Sequence, residues 1–168
     1  DSGSVEHDCY ASSRNKFKTT RRPTKACDMN ETRYDVTGPA RWIVCESSGR
    51  WSPAVRRFSP ILIPPRGIPC ISSDSSIEVL AELTTQAPRV LLWECSRERL
   101  VQICDGVTQA ALRAPESLQL VAWAGMGVRH QIALAEFPVA GFVRHPEDLP
   151  RLKPMIQGYF ARWSRLLD

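Results

Sequence analysis

Five side chains in this 168-residue chain have the types that could together hold a metal ion or carry redox chemistry: Cys45, Glu46, Glu94, Cys95 and His145. Thiolate, imidazole and carboxylate are the groups that Zn²⁺ takes, and a close pair of thiols can exchange electrons through a disulfide. Spacing supports neither idea strongly, because the chain has no CxxC, no HxxxH and no short ligand interval. Buried cysteines usually serve as small hydrophobes, and successive side chains of a strand point to opposite faces. Other chemistries have less support still. There is no Ser-His-Asp order, no Gly-rich phosphate loop and no nucleophile elbow, and Gly125-Met126-Gly127 is too short for a nucleotide fingerprint. His130, beside Arg129 at the head of a helical stretch, reads as a solvated polar residue. Cys70 and Cys104 read as core.

The five candidates fall at the ends of short apolar runs, so the surrounding elements decide whether they can meet. RWIVCE (41–46) is an apolar run, and GRWSPAVRRF (49–58) is helix-like, with Trp51, Val55 and Phe58 on one face. GIPCIS (67–72) reads as a strand weakened by Pro69. Ser75-Ser76-Ile77-Glu78 has capping-box spacing and predicts a helix with Ile77, Leu80 and Leu83 on one side, ended by Pro88. RVLLWEC (89–95) is the clearest strand. Ser96 can cap the next helix, whose stripe is Leu100, Ile103, Cys104, Val107 and Ala111, and Pro115 closes it. LQLVAWAG (118–125) predicts a strand, VRHQIALAEF (128–137) a helix and VAGFVRH (139–145) a strand. A last helix carries Leu149, Leu152, Ile156, Phe160, Trp163 and Leu167; Pro154 inside it predicts a kink or a late start.

Strand followed by helix, five times over, is the pattern of an α/β fold whose parallel sheet is covered on both faces. The continuous rather than alternating apolar runs agree with that. Right-handed crossovers leave few topologies, and the flavodoxin-like strand order 2-1-3-4-5 is the usual five-stranded answer.

With 43% hydrophobic residues the chain can build one sizeable core. No apolar stretch nears the roughly 18 residues that span a bilayer, and a formal charge of +4 is too mild to indicate nucleic acid by itself. That charge is unevenly placed. Residues 12–25, SSRNKFKTTRRPTK, hold Arg14, Lys16, Lys18, Arg21, Arg22 and Lys25 and no acid. Residues 1–39 are expected to form a disordered basic tail, since they lack apolar periodicity. Met29 is a plausible alternative start, which would make residues 1–28 extraneous to the native protein.

Taken in order, residues 40–165 resemble the receiver domain of two-component response regulators. The likeness is best where Leu120-Val121-Ala122-Trp123-Ala124, a helix ending near Phe137, and Val139-Ala140-Gly141-Phe142-Val143-Arg144-His145-Pro146 follow a receiver's fourth strand, fourth helix and fifth strand. The resemblance implies a phosphoacceptor Asp ending strand three, an acidic pair after strand one, a Thr or Ser ending strand four and a Lys before the Pro after strand five. Here the acceptor position falls on Trp93, with Glu94 beside it; a slip of one residue would exchange them. The hydroxyl position is Trp123, 30 residues on. His145 takes the Lys position, Glu46 alone remains of the acidic pair, and Phe142 keeps the switch-aromatic position.

Two indoles at these positions would fill the pocket and exclude hydrated Mg²⁺. The resemblance therefore implies a degenerate, non-phosphorylatable receiver-like domain that is no enzyme and needs no cofactor or metal. Its role would be regulatory, through a protein partner or a homodimer rather than a membrane or nucleic acid. The implied interaction face lies on the last strand and helices, with Arg129, Arg144, Tyr159, Arg162 and Trp163 near it. No helix-turn-helix follows within the chain, so direct action on DNA is not expected. Free thiols beside a full core suggest a reducing, cytoplasmic setting. The alternative is a small α/β enzyme or a metal- or ligand-binding domain built on Cys45, Glu46, Glu94 and His145.

Overall fold

The computed structural model describes residues 39–167, apart from 65, 85, 124 and 126. The tail expected over residues 1–39 lies, but for Pro39, outside the described residues, as does the alternative start at Met29. Elements alternate along the chain as β1 (Arg41–Cys45), α1 (Trp51–Leu62), β2 (Cys70–Ser73), α2 (Ser76–Ala81), β3 (Arg89–Cys95) and α3 (Leu100–Arg113). They continue as β4 (Leu118–Trp123), α4 (Val128–Ala135), β5 (Gly141–Val143) and α5 (Lys153–Leu167). The strands form one parallel sheet in the order β2-β1-β3-β4-β5, as the strand-helix alternation predicts. Among the described residues no helix is long and apolar enough to cross a membrane.

The central strands are buried throughout, and their side chains part alternately to two cores. Trp42, Val44, Val90, Leu92, Leu120 and Ala122 pack with residues of α1 and α5 on one face. Ile43, Cys45, Leu91, Trp93, Val121 and Trp123 pack with residues of α2, α3 and α4 on the other. This parity decides which strand-end groups can meet, because neighbours in sequence are sent to different faces.

Local signals mostly set the element ends where the sequence places them. Ser75 caps α2 by accepting the Glu78 amide hydrogen, and Pro154 falls in the first turn of α5. The chain enters α5 through a 3₁₀ helix, Pro146–Leu152, so the proline delays the α-helix and does not interrupt it. Between α1 and β2, Gly67 sits at φ +70°, where an added Cβ would come 2.6 Å from Ser59 Oγ. Only glycine fits that turn.

Two expectations are corrected. Leu80 and, in the 3₁₀ turn that follows, Leu83 are buried, but Ile77 of the same expected side is 78% exposed and Val79 is buried in its stead. A six-residue helix is too short for a stripe of apolar residues to establish which side faces the sheet. Ser96 does not cap α3 either. A turn intervenes, the helix starts at Leu100, and Arg99 at the cap position makes no capping side-chain bond.

Gly106 of α3 shows how tightly the second core is packed. A Cβ there would lie 2.9 Å from the ring of Trp93, which is fully buried and cannot retreat. Gly106→Ala is therefore expected to destabilise the fold by about 1–2 kcal/mol, the overpacking cost exceeding the gain in helix propensity. Gly158→Ala in α5, where the added Cβ meets nothing within 4 Å, should stabilise by about 0.5–1 kcal/mol. Urea unfolding of the two variants reads the opposite signs directly.

Candidate functional site

The carboxyl ends of β1 and β3 carry two buried acids, Glu46 and Glu94, each 6% exposed. Both serve the turn that links β1 to α1. Glu46 accepts the amide hydrogens of Trp51 (2.7 Å) and Ser52 (3.0 Å) and the Ser52 hydroxyl. It thus caps α1 from a distance, which explains why Arg50 at the cap position makes no capping side-chain bond. Glu94 Oε2 accepts from the amides of Ser47 (2.7 Å) and Ser48 (2.9 Å) and, more weakly, from the Ser47 hydroxyl (3.4 Å). Its Oε1 accepts from the Trp51 indole at 3.2 Å and lies 3.9 Å from the Arg50 guanidinium.

These contacts decide the charge state of Glu94. Burial pushes its carboxyl up, but the Ser48 side chain, the Ser48 and Ser47 amides and the Trp51 indole together outweigh burial. The net result is a pKa below the ordinary carboxylate range. Glu94 is a fixed anion on the α1 side of the sheet.

Trp93 points the other way, which corrects the expectation that its indole would fill the strand-end pocket. Its Nε1 donates to Gln119 Oε1 at 3.1 Å, and the ring lies under α3 against Gly106. Only Glu94 has the parity to reach the β1–α1 turn. Trp123 ends β4 and is 3% exposed. Phe142 packs against it at 6.4 Å between centroids, and the Arg144 guanidinium sits 5.2 Å above its ring. A shallow cleft of about 230 Å³ opens beside this stack, lined by Trp123, Phe142, Arg144, Asp148 and Arg151 among others.

The metal or redox cluster considered from sequence does not assemble. Cys45 lies in the core beneath α2 and α3, where Arg99 Nη2 stands 3.5 Å from its Sγ, while Glu46 and Glu94 face α1. His145 is exposed at the head of the 3₁₀ helix. Among the described residues no three His, Cys, Asp or Glu side chains come together as ligands for an ion. The thiols of Cys45 and Cys95 are free and poor nucleophiles. Burial raises Cys45, an effect Arg99 offsets only in part, and burial pushes Cys95 up to about 12.

Other candidates are redistributed as well. Arg129, Arg144 and Arg162 are exposed, but Tyr159 and Trp163 are buried at 9% and 5% and belong to the core beside α1. The Tyr159 hydroxyl accepts the backbone amide hydrogen of Arg89 at 2.8 Å, and burial raises its pKa to about 12. Those two rings are fold determinants and do not form a surface. His130 is half-buried, not fully solvated. Sequence reading missed Ser47, Ser48 and Trp51 as the partners of Glu94. The available signal was an acid ending an apolar run, followed by Ser-Ser-Gly and a helix: a turn rich in free amides.

The chain matches no family model and no curated protein. In fold it is similar to a CheY-like protein, TadZ, from Pseudomonas aeruginosa PAO1, known from a crystal structure. The TM-score is 0.56 at 15% sequence identity, and the match covers 71% of this chain and 94% of that one. The architecture is CheY-like.

Replacing the Glu94 charge tests the geometry. Glu94→Gln is expected to cost about 2–3 kcal/mol at neutral pH, since an amide returns a donor towards a ring of donors. Folding lowers the Glu94 pKa, so its contribution is complete above the pKa of the unfolded carboxyl. It fades as pH falls through the folded value. The stability gap between wild type and Glu94→Gln, read from urea midpoints across pH, should be constant near neutrality and close in acid. A gap that widens in acid would contradict the assignment.

Proposed function

We propose that this chain is a receiver-like domain that accepts no phosphoryl group and regulates by binding another protein or a second copy of itself. One observation carries the reading: both oxygens of Glu94 are already engaged by the β1–α1 turn. A phosphoryl acceptor needs a carboxylate oxygen free to attack, with a cation alongside to neutralise the incoming oxygens. Glu94 occupies the strand-three end on the side where such chemistry would take place, as a permanent and internally satisfied charge. Glu46, the remaining acid of the expected pair, is consumed in the same way by α1.

The other positions support the same reading. At the end of β4 the Trp123 indole supplies no hydroxyl to follow a phosphoryl group, and it is wedged between Phe142 and Arg144. His145 stands exposed where the resemblance places a lysine. The switch-aromatic position is thus packed against a bulky neighbour, which favours one fixed arrangement over two. What remains for function is surface. Arg129, Arg144 and Arg162 are exposed towards the end of the chain, and Val128 and Ile132 of α4 are exposed one turn apart. Exposed apolar side chains on a helix that also carries the exposed Arg129 suit a protein interface better than a solvated face. The free, protonated thiols fit a reducing cytoplasmic setting.

Two measurements test the proposal. The full chain incubated with Mg²⁺ and a small phosphodonor is expected to keep its intact mass unchanged; a labile phosphoryl adduct would overturn the non-phosphorylatable reading. Arg129→Glu combined with Arg144→Glu is expected to weaken self-association or partner binding, read by sedimentation velocity, by about tenfold or more. An unaltered profile at concentrations where wild type associates would place the interface elsewhere.

A further inference from the structure

From Ser47 to Ser73 the chain holds four arginines, Arg50, Arg56, Arg57 and Arg66, and no acidic residue. The fold exposes all four. Two of them share a cleft of about 410 Å³ between α1 and the start of the 3₁₀ helix, lined also by Pro53, Phe58, Pro146 and Glu147. The arrangement is specific: two guanidinium groups border an apolar floor. Arg57 lies 5.2 Å above the Phe58 ring, and both residues line the cleft. Among the described residues Arg57 has no carboxylate within ion-pairing distance, and Arg50 has only Glu94, at 3.9 Å.

We propose that this cleft binds an anion carried on a flat apolar body, an aromatic phosphate or carboxylate. The two arginines match the anionic head, and Phe58, Pro53 and Pro146 match the ring. Glu147 at the rim disfavours a second anionic group, so the ligand has one charged end. Neither Arg129 nor Arg144 lines the cleft, and the site does not depend on the reading proposed for them. It is coupled to the strand end, however, because Arg50 is shared. A bound anion competes with Glu94 for the Arg50 guanidinium, so occupancy alters the electrostatics of the β1–α1 turn. By linkage, the state of that turn alters affinity for the anion in return.

The test titrates the full chain with phenyl phosphate, inorganic phosphate and benzyl alcohol, using calorimetry and the backbone amide shifts of residues 50–58. Phenyl phosphate is expected to bind about tenfold or more tightly than either fragment, since head and ring each contribute. Arg57→Gln should weaken phenyl phosphate binding about tenfold or more while leaving the urea midpoint unchanged. Arg56→Gln, which lies outside the cleft, should leave binding unaltered. Equal binding of phenyl phosphate and inorganic phosphate, or indifference to Arg57→Gln, overturns the proposal. A tyrosine-phosphorylated peptide then separates the sources. Tighter binding than phenyl phosphate assigns the anion to another protein's side chain, and equal binding assigns it to a free small molecule.

Discussion

A carboxylate taken out of water must be met by donors, and in this fold that requirement organises the end of the sheet. Glu94 is held almost wholly inside the protein as an anion, which is tolerable only because four donors converge on it, three from the β1–α1 turn and one from Trp51 at the head of α1. The turn in turn gains its shape from the carboxylate. Ser47 and Ser48 are followed by Gly49 at φ +69°, a geometry that aims successive amides inward. Glu46 fixes the next stretch by capping α1. Two charges, one turn and one helix terminus therefore form a single unit, and removing any member leaves orphaned groups in the others.

The opposite end of the sheet is closed by a related device of reversed sign. Arg89 is buried at the start of β3, where its guanidinium donates to the Glu82 carbonyl and its backbone amide donates to Tyr159. Beside it Arg41 pairs with Glu82 at 3.2 Å. A buried cation seals one end and buried anions seal the other, with backbone groups among the partners of each. The two ends differ in where those partners lie. At the Arg89 end the Glu82 carbonyl lies in the 3₁₀ turn after α2, and Tyr159 is held in the core by α5. At the Glu94 end two of the donating residues, Ser47 and Ser48, lie in an exposed turn, and the third, Trp51, is buried at the start of α1.

Most of the architecture was legible because the strands are uniformly apolar and the helices between them are punctuated by Ser75, Pro88 and Pro115. The same uniformity concealed the site. RVLLWEC is buried on both faces, so it carries no alternation from which to tell that Trp93 faces α3 and Glu94 faces α1. Parity became visible only through contacts distant in sequence, such as Trp93 with Gln119 and Glu94 with Ser47. Tyr159 and Trp163 were misplaced for a similar reason. An amphipathic helix with arginines shows which residues share a side, but not that this side meets Arg89 and α1. Ile77 failed because one and a half turns of helix leave the buried face to be chosen by neighbours.

The length of glutamate matters to what the site became. An aspartate at position 94 would carry its carboxylate one methylene closer to the strand, and it could not reach the Ser47 and Ser48 amides and the Trp51 indole together without moving the turn. Glutamate spans that interval, and the cost of its burial is offset by the donors it gathers. Chain length and strand parity therefore explain jointly why the acid is inert. Parity directs it to the turn, and length lets it satisfy the turn completely. Arg50, half-exposed and at the limit of ion-pairing distance, links this unit to the outside. An external charge that draws on the Arg50 guanidinium is therefore felt by Glu94 without unfolding the turn that encloses it.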